Sequence, residues 1–177
     1  RMDAMCRFLR GFDTILSLNY DLLVYWCVIQ EINLFKDNRS EGHVFKDCFS
    51  NGVFDRDWRK FRTPISGQKS CSLVFYPHGN LALSRHMDGG EKKIHCNEDD
   101  LLDSILKEWE GGDGVPLFVS EGRSQQKISS IHSSNYLSTV YWDVLGERRS
   151  SLVIYGWGVA EQDHHLLERM KGSGICL

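Results

Sequence analysis

Three short polar stretches interrupt otherwise apolar runs, and their residue types could do chemistry. They are Asn19-Tyr20-Asp21, Pro77-His78-Gly79 and Gly156-Trp157-Gly158. An imidazole titrates near neutral pH, so His78 could act as a general base. A Pro-His-Gly turn has no geometric need for histidine, and a plain surface-turn residue is the competing reading. Asn19 and Asp21 form a polar pair able to face a ribose or an amide. Either could equally cap the helix that starts at Leu22. Gly156 and Gly158 let a backbone approach closely at a helix start, where a phosphate or ribose can sit, with Trp157 between them. The third glycine of the dinucleotide fingerprint is absent there, and a tight strand-to-helix turn without a ligand is the more common explanation. Glu121 ends an apolar run and is a further candidate, set against a solvated turn residue.

Other groups carry less. His164 and His165 are adjacent and point about 100° apart on a helix, a poor metal pair. His86, His95 and Cys96 lack ligand spacing, and Gly122-Arg123-Ser124 lacks the nucleophile-elbow pattern. The six cysteines, Cys6, Cys27, Cys48, Cys71, Cys96 and Cys176, contain no C-x-x-C pair. A zinc knuckle needs such pairs, so no zinc is expected. Reduced thiols buried as small hydrophobes, in the cytoplasm, are the expectation.

The elements that must position these residues follow from pattern. Phe12–Leu18, Ser72–Tyr76, Pro116–Ser120 and Ser151–Tyr155 read as strands. Asp3–Arg10, Leu22–Leu34, Glu98–Trp109, Ser124–Ile131, Tyr136–Leu145 and Glu161–Met170 read as helices. Leu81–Ser84 and Lys92–His95 form a hairpin around Asp88-Gly89-Gly90. Residues 38–67, rich in charge and aromatics, read as an irregular insertion with room for one hairpin. Strands apolar on both faces and alternating with helices predict an α/β fold with a mostly parallel sheet covered by helices. Ligands in such sheets bind beyond the carboxyl ends of the strands, where all three polar turns fall.

Length and composition agree. The 177 residues are 25% charged and 41% apolar, which fits one folded domain spanning 1–177. With 21 basic against 24 acidic residues, net charge −3, no nucleic-acid partner is expected. The apolar run Leu22–Ile29 is short of the roughly 20 residues a membrane helix needs, so no membrane partner is expected.

Together the three turns resemble the sirtuin-like group of Rossmann-type NAD-binding proteins. Sirtuins carry a T-Q-N-I-D-x-L turn, an H-G turn and a strand ending in G-T-S-L. The counterparts here are Ser17–Leu23, Tyr76–Gly79 and Val153–Val159. The chain is more similar still to sirtuin-like bacterial proteins of unknown function, which read F-D-x-I-x-x-x-N-Y-D-L-L-L-Y-W, then Y-L-H-G, then P-L-F-V-x-E-G-x-S-x-x-K. Phe12–Trp26, Tyr76–Gly79, Pro116–Lys127 and Gly156–Leu166 follow that order.

The resemblance implies a Rossmann-like sheet and NAD, or a related nucleotide, as ligand or substrate. It places a further strand and a glycine-rich loop ahead of Arg1. Gly158 stands where the family has serine, and the four-cysteine zinc module of the deacylases is missing. The implied activity is therefore cleavage of NAD at the nicotinamide–ribose bond. Asn19 would hold a water or the ribose, Asp21 would bind the carboxamide or fix the loop, and His78 would be the base. Gly79, Gly156, Trp157, Gly158 and Glu121 would line the nucleotide. The competing expectation is a non-catalytic nucleotide-binding or protein-interaction module, and a homo-oligomer stays open under either.

Overall fold

A computed structural model describes residues 2–36, 42–64, 67–95, 100–112, 114–119, 122–149 and 151–174. The chain divides into two compact units, Arg1–Leu117 and Phe118–Leu177.

The first unit opens with α1 (Met2–Leu9) and β1 (Thr14–Leu16), followed by α2 (Leu23–Lys36). Next come β2 (His43–Lys46), the hairpin β3 (Phe49–Ser50) and β4 (Val53–Phe54), and a 3₁₀ turn over Trp58–Arg62. β5 (Ser70–Phe75), β6 (Gly79–His86), β7 (Glu91–Lys93), α3 (Leu101–Glu110) and β8 (Gly114–Phe118) complete it. β1, β5 and β2 form a parallel sheet with β5 in the centre. β5 is there because it can be buried on both sides: Ser72, Leu73, Val74 and Phe75 are all fully buried. Trp58 packs edge-on against Phe75 at 5.6 Å. A second sheet has the order β3-β4-β7-β6-β8, and β3–β4, β4–β7 and β6–β7 pair antiparallel.

The fold is thus α/β, with a three-stranded parallel sheet beside an antiparallel one. The predicted hairpin is β6–β7, and its turn is closed by His86 N–H donating to Gly90 O and by Asp88 Oδ1 accepting from Gly90 N at 2.8 Å. Leu22, Tyr25, Ala82, Ile94, Leu101 and Ile105 make one apolar cluster joining α2, β6, β7 and α3. Asp100 caps α3, accepting from Leu102 N–H. β2 arises inside the segment read as irregular, and His43, Val44 and Phe45 are buried in it.

The second unit is helical: α4 (Ser124–His132), α5 (Asn135–Thr139), a π-helical turn over Val140–Val144, a 3₁₀ turn over Glu161–Asp163 and α6 (His164–Lys171). Ile131, Tyr136, Leu137, Val140, Val144, Leu145 and Leu166 form its core. Ser151–Tyr155, predicted as a strand, is not one. The segment is irregular, with Val153 and Tyr155 60% and 87% exposed. An apolar, β-branched run becomes a strand only when a neighbouring edge completes its hydrogen bonds. No helix among the described residues is long and apolar enough to cross a membrane.

Candidate functional site

The parallel register fixes where the first two candidate turns lie. Ile15 pairs with Val74 and Leu16 with Phe75, so β1 and β5 end together. Ser17 N–H extends the ladder to Phe75 O at 3.0 Å. Beyond that point both chains turn: Ser17–Leu22 leaves β1 and Tyr76–Gly79 leaves β5. Carboxyl ends of adjacent parallel strands are where α/β sheets bind ligands.

The turn after β5 is closed by Gly79 N–H donating to Tyr76 O at 2.9 Å, with Pro77 at its second position. Gly79 has φ +81°, a conformation open to glycine at no steric cost. His78 is 3% exposed. It is not the solvated turn histidine that the sequence allowed: its imidazole is buried at the end of the central strand.

In the turn after β1, Asn19 is exposed. Asp21 Oδ1 accepts from Leu23 N–H at 2.9 Å and caps α2. Of the two readings for Asp21, capping is the one the geometry realises, and the carboxylate fixes the loop through it.

Asn80 joins the two turns. It is fully buried, its Nδ2 donates to Asp21 O at 3.2 Å, and its Oδ1 accepts from Ala82 N–H at 2.6 Å. Leu81 N–H adds a bond to Tyr20 O at 3.4 Å. Asn19, Asp21, His78 and Gly79 therefore sit on two adjacent, cross-braced turns. Asn80 was missed from sequence. Its signal was an amide placed directly after His78-Gly79 at the head of an apolar strand.

The other candidates belong to the second unit. Gly156 has φ +68°, and neither it nor Gly158 has an atom within 4 Å of where a Cβ would stand. Trp157 Nε1 donates to Asp163 Oδ2 at 3.3 Å, and Asp163 Oδ1 accepts from the buried Lys127 Nζ at 2.7 Å. The Gly-Trp-Gly turn is thus pinned to the start of α6. His165, beside it, is buried, and that burial lowers its pKa. Glu121 lies outside the described residues.

A second polar cluster lies at the opposite, amino end of the parallel sheet. His43 is buried, with Nδ1 2.8 Å from Ser70 Oγ and Nε2 3.0 Å from Ser72 Oγ. Ser72 donates its proton to Phe12 O at 2.5 Å. Its oxygen must therefore accept from His43 Nε2–H, which leaves Nδ1 to accept from Ser70. Burial lowers the pKa of this histidine, and the Arg10 charge lowers it further. A weak, neutral imidazole with both nitrogens engaged is a structural plug.

Neither the curated proteins nor the solved structures contain a match to this chain. A family model does match, over residues 1–176, and its description is a domain of unknown function, DUF4917. Because that match spans nearly every residue, including both cross-braced turns, the chain belongs to the DUF4917 family.

Proposed function

We propose that this protein binds NAD at the carboxyl ends of β1 and β5 and hydrolyses its nicotinamide–ribose bond, as a sirtuin-like, Rossmann-type protein of the cytoplasm. One observation carries the reading: a histidine buried at the end of the central parallel strand, on a turn braced to the turn that bears Asn19.

In this reaction the C1′–N1 bond breaks and its electron pair leaves with nicotinamide. Positive charge grows on the sugar, and a water oxygen bonds to C1′. His78 takes the proton of that water. Asn19, exposed at the rim, orients the water or the ribose. Asp21 acts through the backbone by holding the loop against α2. Burial around His78 excludes competing water and strengthens its polar contacts. General-base catalysis of this kind is worth roughly 100- to 10,000-fold.

The test is incubation with NAD, with released nicotinamide followed by chromatography. Release that is lost in His78→Ala and Asn19→Ala, both still folded by circular dichroism, is the expected result. Wild-type turnover in either variant overturns the assigned role.

The second reading, a nucleotide-binding or protein-interaction module without catalysis, is favoured by the exposure of Val153, Ile154 and Tyr155 in one short segment. No nicotinamide release, with NAD still raising the melting temperature, selects this reading.

A further inference from the structure

Three sulfur atoms meet between α1 and α2, away from the turns discussed above. Met2 and Cys6 are four residues apart and lie on one face of α1. Cys27, on α2, faces both. Its thiol donates to Met2 Sδ at 3.3 Å, and the Cys6 thiol is its close electrostatic neighbour. Cys6 and Cys27 are 1% and 0% exposed, and Met2 is half-buried. The helices are clamped on either side of this group. Gln30 Nε2 donates to Asp3 Oδ1 at 2.6 Å, and Arg10 Nη2 binds both Glu31 oxygens at 2.8 and 2.9 Å.

A thiol proton aimed at a thioether lone pair marks the direction along which a soft cation would be shared. We propose that Met2, Cys6 and Cys27 form a binding site for one soft monovalent cation of the Cu(I) type. Two thiolates and a thioether are soft ligands that select Cu(I) over harder divalent ions. Zinc normally takes four ligands, and this group offers three, one of them an uncharged thioether. On binding, two Cu–S(thiolate) bonds and one Cu–S(thioether) bond form. The two thiol protons leave to solvent, and no electron is transferred. The bound group carries one net negative charge. This site stands independently of the NAD reading.

The sequence conceals it because the second thiol comes from another helix, not from a C-x-x-C pair. The test is anaerobic titration of the protein with Cu(I), kept reduced by ascorbate, against a chromogenic Cu(I) chelator. The expected result is one Cu(I) withheld per chain, retained in the Cys71→Ser/Cys96→Ser/Cys176→Ser variant and lost in Cys27→Val. That substitution fills the buried space with an apolar side chain of similar size. X-ray absorption on the wild-type complex tests the site without any variant: a shell of sulfur alone supports it. A shell containing nitrogen or oxygen, no withheld Cu(I), or full retention in Cys27→Val overturns it.

Discussion

Asn80 and Asp21 are bound to each other across 59 residues of sequence, the buried amide of one donating to the main-chain carbonyl of the other at 3.2 Å. Asn80 also accepts from Ala82 N–H, so both ends of its amide are in use. Replacing it with alanine strands the buried Ala82 N–H, while the Asp21 carbonyl belongs to an exposed residue. Leaving a buried N–H unpaired costs about 1–3 kcal/mol. Asn80→Ala should therefore lower the urea midpoint by an amount equivalent to about 1–3 kcal/mol without changing the slope. On the NAD reading it should also reduce kcat while leaving the KM for NAD nearly unchanged, because it positions the turns and does not touch substrate. An unchanged midpoint would mean the bond is dispensable.

Arg10 and Glu31 pose a different question of energetics. Glu31 is 1% exposed and held by both its oxygens. Breaking a buried pair from one side leaves an uncompensated charge and costs about 3–5 kcal/mol. Glu31→Leu alone should fall in that range by chemical denaturation. Arg10→Met/Glu31→Leu should recover much of the loss, since replacing both partners with apolar groups removes the desolvation penalty along with the pair. A double variant as unstable as the sum of the single variants would show that the pair does not couple.

How far these features could be read from sequence depended on how local their cause is. β5 was legible because Leu73-Val74-Phe75 is apolar at every position, which only a central strand can bury. The α6 helix and the β6–β7 hairpin were legible from their own turn chemistry. β2 was not: His43-Val44-Phe45-Lys46 is flanked by charges, and its burial depends on pairing with Ser70–Leu73 far along the chain. Ser151–Tyr155 failed in the opposite sense, having strand-like composition but forming no strand among the described residues. Among site residues, Asn19, Asp21 and His78 stood out as polar breaks in apolar runs. Asn80 did not, because its purpose is set by a carbonyl on another turn. The Met2–Cys6–Cys27 group likewise exists only once two helices pack.

The buried histidines give a pH prediction. His43 and His165 both have lowered pKa values, in each case chiefly because burial disfavours the imidazolium. A histidine whose folded pKa lies below its unfolded value of about 6.5 binds a proton more readily in the unfolded chain. Its contribution to stability is complete above about pH 6.5 and is lost as the pH falls from there through the folded pKa. Urea unfolding measured from pH 7.5 down to about 5 should show stability falling with acidification. The decline should be shallower in His43→Gln and shallower again when His165→Gln is added. Parallel curves for the wild type and the double variant would assign the acid sensitivity to other groups.

The last prediction concerns the second unit, where Gly146 makes room for Arg169. The π-helical turn ends with Leu145 N–H donating to Val140 O at 2.9 Å, a wider loop than the α-helix makes. That widening frees carbonyls, and Arg169 collects two of them. Its Nε donates to Tyr141 O at 3.2 Å and its Nη2 to Trp142 O, while its guanidinium lies 4.9 Å from the centre of the Trp142 ring. A Cβ on residue 146 would fall on the guanidinium and within 2.6 Å of Trp142 O. The flexible arginine must leave, and the backbone turn must also shift, because the clash with the Trp142 carbonyl remains. Gly146→Ala should cost about 1–3 kcal/mol by overpacking, although alanine would normally favour a helical backbone over glycine. Adding Arg169→Ala to Gly146→Ala should then change stability less than Arg169→Ala does in the wild type, since the contacts are already gone. Fully additive losses by thermal denaturation would show that Gly146 and Arg169 act separately.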